Sequence, residues 1–234
     1  MNLADRLLVI SPHLDDAVLS CGLMLAAHSS AFVSTVFTAA PARNIRTDWD
    51  RDSGFAGAFE AMHARKREDR RALTILGASP LHLPFCDAQY QSSPSHETVV
   101  TALKETMREV RPAVLLIPLG LFHSDHTIVA DASLASVESF DEPAVFAYED
   151  VPYRKIPCVL QARLSVLLER GITASPVEFT SLETDARHRE LKQGALAEYE
   201  SQLRAFGPAG RAGLESPERY WRLGKRNNGV GKLP

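Results

Sequence analysis

The stretch Leu7–Gly22, LLVISPHLDDAVLSCG, constrains this chain more than any other. Its four leading apolar residues, Leu7 to Ile10, read as a strand buried on both faces, which has no polar side to alternate with. A polar turn from Ser11 to Asp16 follows, and a helix starts near Ala17. The turn places His13, Asp15 and Asp16 at the carboxyl end of that strand, the edge where open α/β sheets put ligands and chemistry. Two adjacent carboxylates repel each other unless a cation or a strong basic partner lies between them, so the turn asks for a metal or its equivalent.

The remaining pattern repeats strand and helix. After a helix over Val18–His28 come a strand over Ala31–Thr38, a polar loop over 39–53, and a long helix from Gly54 to Gly77. A short strand, Leu81–Leu83, ends at Pro84, and a loop over 85–96 carries Asp87. A helix over His96–Val110, a strand over Ala113–Ile117, the turn PLGLFHSDH (Pro118–His126), a helix over Thr127–Ser139 and a strand over Ala144–Tyr148 complete the series. This alternation predicts a Rossmann-like parallel sheet with helices on both faces, three layers in all. No GxGxxG follows the first strand, so the phosphate cradle of dinucleotide folds is missing. Beyond Asp150 a small C-terminal extension is expected: a helix over Val159–Arg170, an edge strand over Val177–Thr180, a helix over Asp185–Leu203, and a mobile tail from Gly207 in which Tyr220 and Trp221 can dock. One domain is expected over 1–234, with a core over 1–150 and a substrate-shaping segment over 151–234.

Composition narrows the class. With 234 residues, 45% hydrophobic and 24% charged, the chain resembles a globular enzyme, and its net charge of −3 argues against nucleic-acid binding. No apolar run reaches the length of a membrane span, and Asp5 and Arg6 interrupt the place where a signal peptide would need its apolar region. Cys21, Cys86 and Cys158 are far apart and read as reduced, mostly buried thiols, so a cytoplasmic location is expected. Homo-oligomer formation stays open.

The two charged turns both follow central strands and can meet on one sheet edge. Together they offer three imidazoles (His13, His123, His126) and three carboxylates (Asp15, Asp16, Asp125), more than one metal needs. Catalytic zinc commonly takes two histidines and one carboxylate, leaving a position for water. Either turn alone has a plainer reading, since Asp15 or Asp16 suits a helix N-cap and loop histidines are common. Arg65 and Glu68, three apart, would suit a surface ion pair, and His28, His63, His82, His96 and His188 read as surface or cap residues.

PHLDDA and HSDH resemble the two signature motifs of the PIG-L/LmbE-like deacetylases, zinc enzymes that remove an N-acetyl group from N-acetylglucosamine-containing substrates. Arg65-x-x-Glu68, Asp87 and the Lys192…Tyr199-x-Ser201-Gln202 segment are similar to family features too. The resemblance implies one Zn2+ on His13, Asp16 and His126, with Asp15 as the base. It gives His123 oxyanion stabilisation or protonation of the leaving amine, has Asp125 orient and tune His123, and has Arg65 and Asp87 hold sugar hydroxyls. Leu14 and Ser124 stand where the family motifs carry proline, and Ala17 stands where an acidic residue follows the Asp pair. No tyrosine lies near the second turn, which leaves the oxyanion to the metal and a protonated His123. The implied activity is hydrolysis of an N-acetyl amino-sugar conjugate to amine and acetate. The competing reading is a magnesium-dependent phosphatase or phosphotransferase using Asp15 and Asp16; against it, such enzymes usually separate their two aspartates by one residue. A third reading, a non-catalytic metal- or sugar-binding module, is disfavoured because no required group is missing.

Overall fold

A computed structural model describes residues 5–28, 30–137, 143–179, 185–211, 213–214 and 216–225. Strand β1 (Leu7–Ser11) pairs in parallel with β2 (Ala31–Ala39) on one side and β4 (Val114–Pro118) on the other. Strand β3 (Ser79–Cys86) flanks β2, and β5 (Ala144–Tyr148) flanks β4, so five parallel strands run in the order β3-β2-β1-β4-β5. The order reverses at β1, and a crevice opens there between the β1 and β4 carboxyl ends.

The apolar run of β1 is buried on both faces because its side chains alternate between two cores. Leu7 and Val9, with Val114 and Leu116 of β4, face α1 (Asp16–Ala27) and α3 (Ala58–Ile75). Leu8 and Ile10, with Leu115 and Ile117, face α4 (His96–Val110) and α5 (Ser124–Val137). The three-layer expectation holds for this part of the chain.

Several boundaries differ from the sequence reading. The loop over 39–53 contains a short helix, α2 (Asp48–Asp52), closed by reciprocal capping between Thr47 and Asp50. Strand β3 continues past Pro84 rather than ending there, with its register against β2 shifted at that point, as an edge strand tolerates. Helix α5 starts at Ser124, three residues before the expected Thr127, and so takes Asp125 and His126 into its first turn. Residues 138 and 139 of that expected helix lie outside the described residues.

The larger corrections fall after Asp150. Following α6 (Val159–Glu169), the expected edge strand at Val177–Thr180 is instead β6 (Ile172–Val177), and Thr180 lies outside the described residues. The single helix over Asp185–Leu203 is two, α7 (Ala186–Ala197) and α8 (Glu200–Arg211). Glu68 on α3 divides them by accepting the Ser201 N–H (3.1 Å) and the Ser201 hydroxyl (2.6 Å), an N-terminal cap supplied from another helix. The expected mobile tail contains β7 (Tyr220–Lys225), an interior strand antiparallel to both β5 and β6. The sheet is therefore mixed, seven strands ordered β3-β2-β1-β4-β5-β7-β6; residues 226–234 lie outside the described residues. Cys21 and Cys86 are buried, but Cys158 is exposed; all three are free thiols.

Candidate active site

Each turn is held by a buried polar residue, the first by the last residue of its own strand and the second by a residue just past the neighbouring strand β5. At the first, the Ser11 hydroxyl donates to the His13 carbonyl (2.7 Å) and accepts the Ala17 N–H (3.1 Å). Leu14, standing at the motif's proline position, is 2% exposed and packs against Met62 and Tyr90, so packing anchors a turn that lacks the ring. At the second, Asp150 at the end of β5 accepts the N–H groups of Gly120 and Leu121, each at 2.9 Å. Gly120 has φ +85°, and a Cβ there would lie 2.7 Å from Ala130 Cβ, so only glycine fits the turn.

The crevice brings the two turns together. Asp16 Oδ2 accepts the His13 N–H at 2.9 Å and lies 3.1 Å from His13 Nδ1 and 3.2 Å from His126 Nε2. Suitable ligand atoms of His13, Asp16 and His126 all lie within 4.8 Å of one another, as do those of His13, His123 and Asp125. The first trio has the stronger claim on a cation. His126 Nδ1 contacts Asp150 Oδ1 at 2.6 Å, which puts a proton on Nδ1 and makes Nε2, buried and without a hydrogen-bond partner, the nitrogen open to a cation. A histidine held by a carboxylate behind it is the usual arrangement at protein metal sites.

Asp15 stands beside this trio, 6% exposed, and lines a cavity of about 290 Å³ together with His13, Asp16 and His123. Burial first, then the neighbouring Asp16 charge, pushes its carboxyl up to about 7. Burial would also raise Asp16, but His126 and His13 hold it well below the usual carboxylate range. In turn burial would lower His126, and Asp16 and Asp150 raise it to about 9. The carboxylates that favour protons on these imidazoles equally favour a metal cation in their place.

His123 differs from the arrangement expected of it. The Asp125 main-chain N–H donates to His123 Nδ1 at 3.2 Å, so that nitrogen carries no proton and Nε2 is the donor of a neutral ring. Burial lowers its pKa as well, against the protonated His123 read from the sequence. The Asp125 carboxylate reaches His13 Nε2 (3.1 Å) and the Ala88 N–H (3.2 Å), so its hydrogen bond to His123 is made through the backbone alone.

Arg65 lines the cavity but is 3% exposed, its guanidinium engaged by Asp50 (3.0 Å) and the Tyr90 hydroxyl (3.3 Å). It does not pair with Glu68 on a surface; both are buried, and Glu68 caps α8. Asp87 also lines the cavity, and its two oxygens accept the Gln89 N–H (2.9 Å) and side-chain amide (2.7 Å). Of the histidines read as surface or cap residues, His28 is the C-cap of α1, buried at 3% exposure, and His82 is half-buried and bonds Asp69 at 2.7 Å.

Residues 8–137 match the PIG-L family, described as GlcNAc-PI de-N-acetylase. The chain belongs to that family. A curated relative, the 2'-N-acetylparomamine deacetylase of Streptomyces fradiae, is 32% identical over 168 residues, covering 63% of this chain and 57% of the relative. Among solved structures, the A40926 pseudoaglycone deacetylase superposes with a TM-score of 0.74 at 27% identity, covering 95% of this chain and 98% of that one. A zinc-inhibited form of teicoplanin deacetylase gives a TM-score of 0.80 at 23% identity, covering 95% and 99%, and so shares the fold.

Two residues at this PIG-L site escaped the sequence reading. Asp150 lay at a strand end with no motif around it, although an acidic residue just past a predicted central strand is a usable signal. Tyr153 stacks on His123 (centroids 5.9 Å apart, planes 19°) and meets His126 edge-on at 5.0 Å, supplying from another loop the tyrosine that the second turn lacks. Its distance along the chain gave no sign of this.

Proposed function

We propose that this protein is a zinc-dependent hydrolase that removes the N-acetyl group of an amino-sugar conjugate, releasing the amine and acetate. The observation that carries the reading is the buried Nε2 of His126, which makes no hydrogen bond, beside His13 and Asp16, two residues that line a cavity together with Asp15. Two imidazole nitrogens and one carboxylate oxygen form the donor set that catalytic zinc sites use. Zinc bound there would supply a Lewis acid and lower the pKa of the attacking water. His13, Asp16 and His126 would hold it, and Asp150 would keep the His126 lone pair turned toward it.

The protein's own groups complete the reaction. Asp15 takes a proton from the attacking water as the acetyl carbonyl is attacked. His123, its Nδ1 occupied by the Asp125 N–H, presents Nε2–H to the developing oxyanion, a type of donor worth about 3 kcal/mol. A neutral imidazole donating in this way is a poor acid, so Asp15 returns its proton to the leaving amine. Arg65 acts mainly on the cavity wall by fixing Asp50 and Tyr90, and Asp87 presents its carboxylate toward the sugar. One relative is named for deacetylating 2'-N-acetylparomamine and another for deacetylating the pseudoaglycone of the antimicrobial A40926, which supports an acetylated conjugate as the substrate class.

The test is release of free amine from a panel of N-acetylglucosaminyl compounds by wild type and Asp15→Asn, with bound metal analysed in both. Asp15→Asn is expected to retain zinc and lose at least about a hundredfold in kcat. Near-full activity in that variant would remove Asp15 from its role; magnesium dependence with phosphate release would replace the reading altogether.

A further inference from the structure

Phe122 is placed against two ordinary preferences of its side chain. It is 65% exposed, and its φ of +61° lies in the left-handed region that bulky residues rarely enter. Gln91 and Arg111, also left-handed, end helices, where that conformation is common, and Cys158 precedes α6. Phe122 ends no helix. It is the centre of a three-residue turn closed by the His123 N–H on the Leu121 carbonyl (2.7 Å), and the left-handed form of that turn is strained. Strain of this kind gathers at functional sites.

The turn directs the ring onto Tyr153, with centroids 5.7 Å apart and planes at 37°, instead of into the core. Tyr153 lines the cavity and stacks on His123, so three aromatic rings run in series from the cavity wall at His123, through Tyr153, to the exposed Phe122. A second pair, Trp49 and Phe206, lines the same cavity, with Trp49 Nε1–H fixed on Gln202 at 2.8 Å. About 290 Å³ is small for a ligand pocket, so whatever is joined to the acetylated sugar must extend past the rim.

We infer that Phe122 and Tyr153 form a subsite that stacks a ring attached to the acetylated sugar, which makes Phe122 a specificity-determining residue. The chemistry recognised is a flat apolar ring face, either an arene or the C–H face of a second pyranose. The inference rests on the deacetylase reading above.

The experiment compares metal-loaded wild type, Phe122→Gly and Phe122→Tyr on three probes: the methyl and phenyl N-acetyl-β-glucosaminides and N,N'-diacetylchitobiose. Glycine deletes the ring and accepts the backbone angle; tyrosine keeps the ring. Wild type should prefer a ring-bearing probe over the methyl glycoside, phenyl if the partner is an arene and chitobiose if it is a sugar. Phe122→Gly should lower that preference in kcat/KM about tenfold, through KM, and Phe122→Tyr should restore it. The thermal midpoint of Phe122→Gly should be no lower than that of wild type, which separates a lost contact from a lost fold. No preference in wild type, or a preference that survives in Phe122→Gly, overturns the inference. If wild type releases amine from none of the probes, the deacetylase reading fails separately. Binding of the same probes, followed by quenching of tryptophan fluorescence, then decides the subsite by the same comparison of preferences.

Discussion

His126 is held by Asp150 behind its Nδ1, and its Nε2 faces the Asp16 carboxylate 3.2 Å away without a hydrogen bond. His126→Ala should therefore abolish stoichiometric zinc, while Asp150→Asn should retain the site with affinity weakened about 10–100-fold, both measured by competition with a chelator. Chemistry-bearing residues at the two turns were legible because adjacent like charges and clustered imidazoles are improbable without a purpose. Their partners were not, because a hydrogen bond between His126 and Asp150 leaves no local pattern. His28 shows the same limit away from the site. Burial lowers its pKa below 6.5, against an opposing hydrogen bond from Nδ1 to the Met24 carbonyl. The unfolded chain then takes up a proton at a pH where the folded one does not, so stability is lost as pH falls through 6.5 toward the folded value. His28→Gln should flatten that part of the profile, read as urea midpoints between about pH 7.5 and about pH 5.

Helix α1 is interrupted at Cys21 (φ −144°, ψ 30°), and Glu218 repairs the break. Its carboxylate accepts the Leu23 N–H (2.8 Å), the Met24 N–H (3.4 Å), the Lys192 ammonium (2.6 Å) and the Tyr220 hydroxyl. Glu218→Ala would leave Lys192, 8% exposed, buried without that partner, and should cost about 3–5 kcal/mol in chemical denaturation. Pairing Glu218→Gln with Lys192→Met should recover much of the loss, since the charge to be solvated is gone. At this scale the amphipathic helices α4 and α3 were readable from spacing. The break between α7 and α8 was not, because the group that caps α8 sits on α3, 133 positions away.

The molecule closes its sheet with its own C-terminal segment. Strand β7 lies between β5 and β6, and Glu218 just before it binds α1, so this segment is interior to the fold rather than appended to it. A chain ending at Pro217 should lose soluble yield and cooperative unfolding by circular dichroism, whereas a mobile tail could be removed without either effect. Among the described residues no helix is long and apolar enough to cross a membrane. By itself the sequence determined the parallel core and the two charged turns, because buried strands and crowded carboxylates are written in neighbouring residues. Only the tertiary structure decided which carboxylate orients His126, where Tyr153 stands and how β7 enters the sheet. Those contacts join residues distant along the chain, and their energy exists only once the intervening segments have packed.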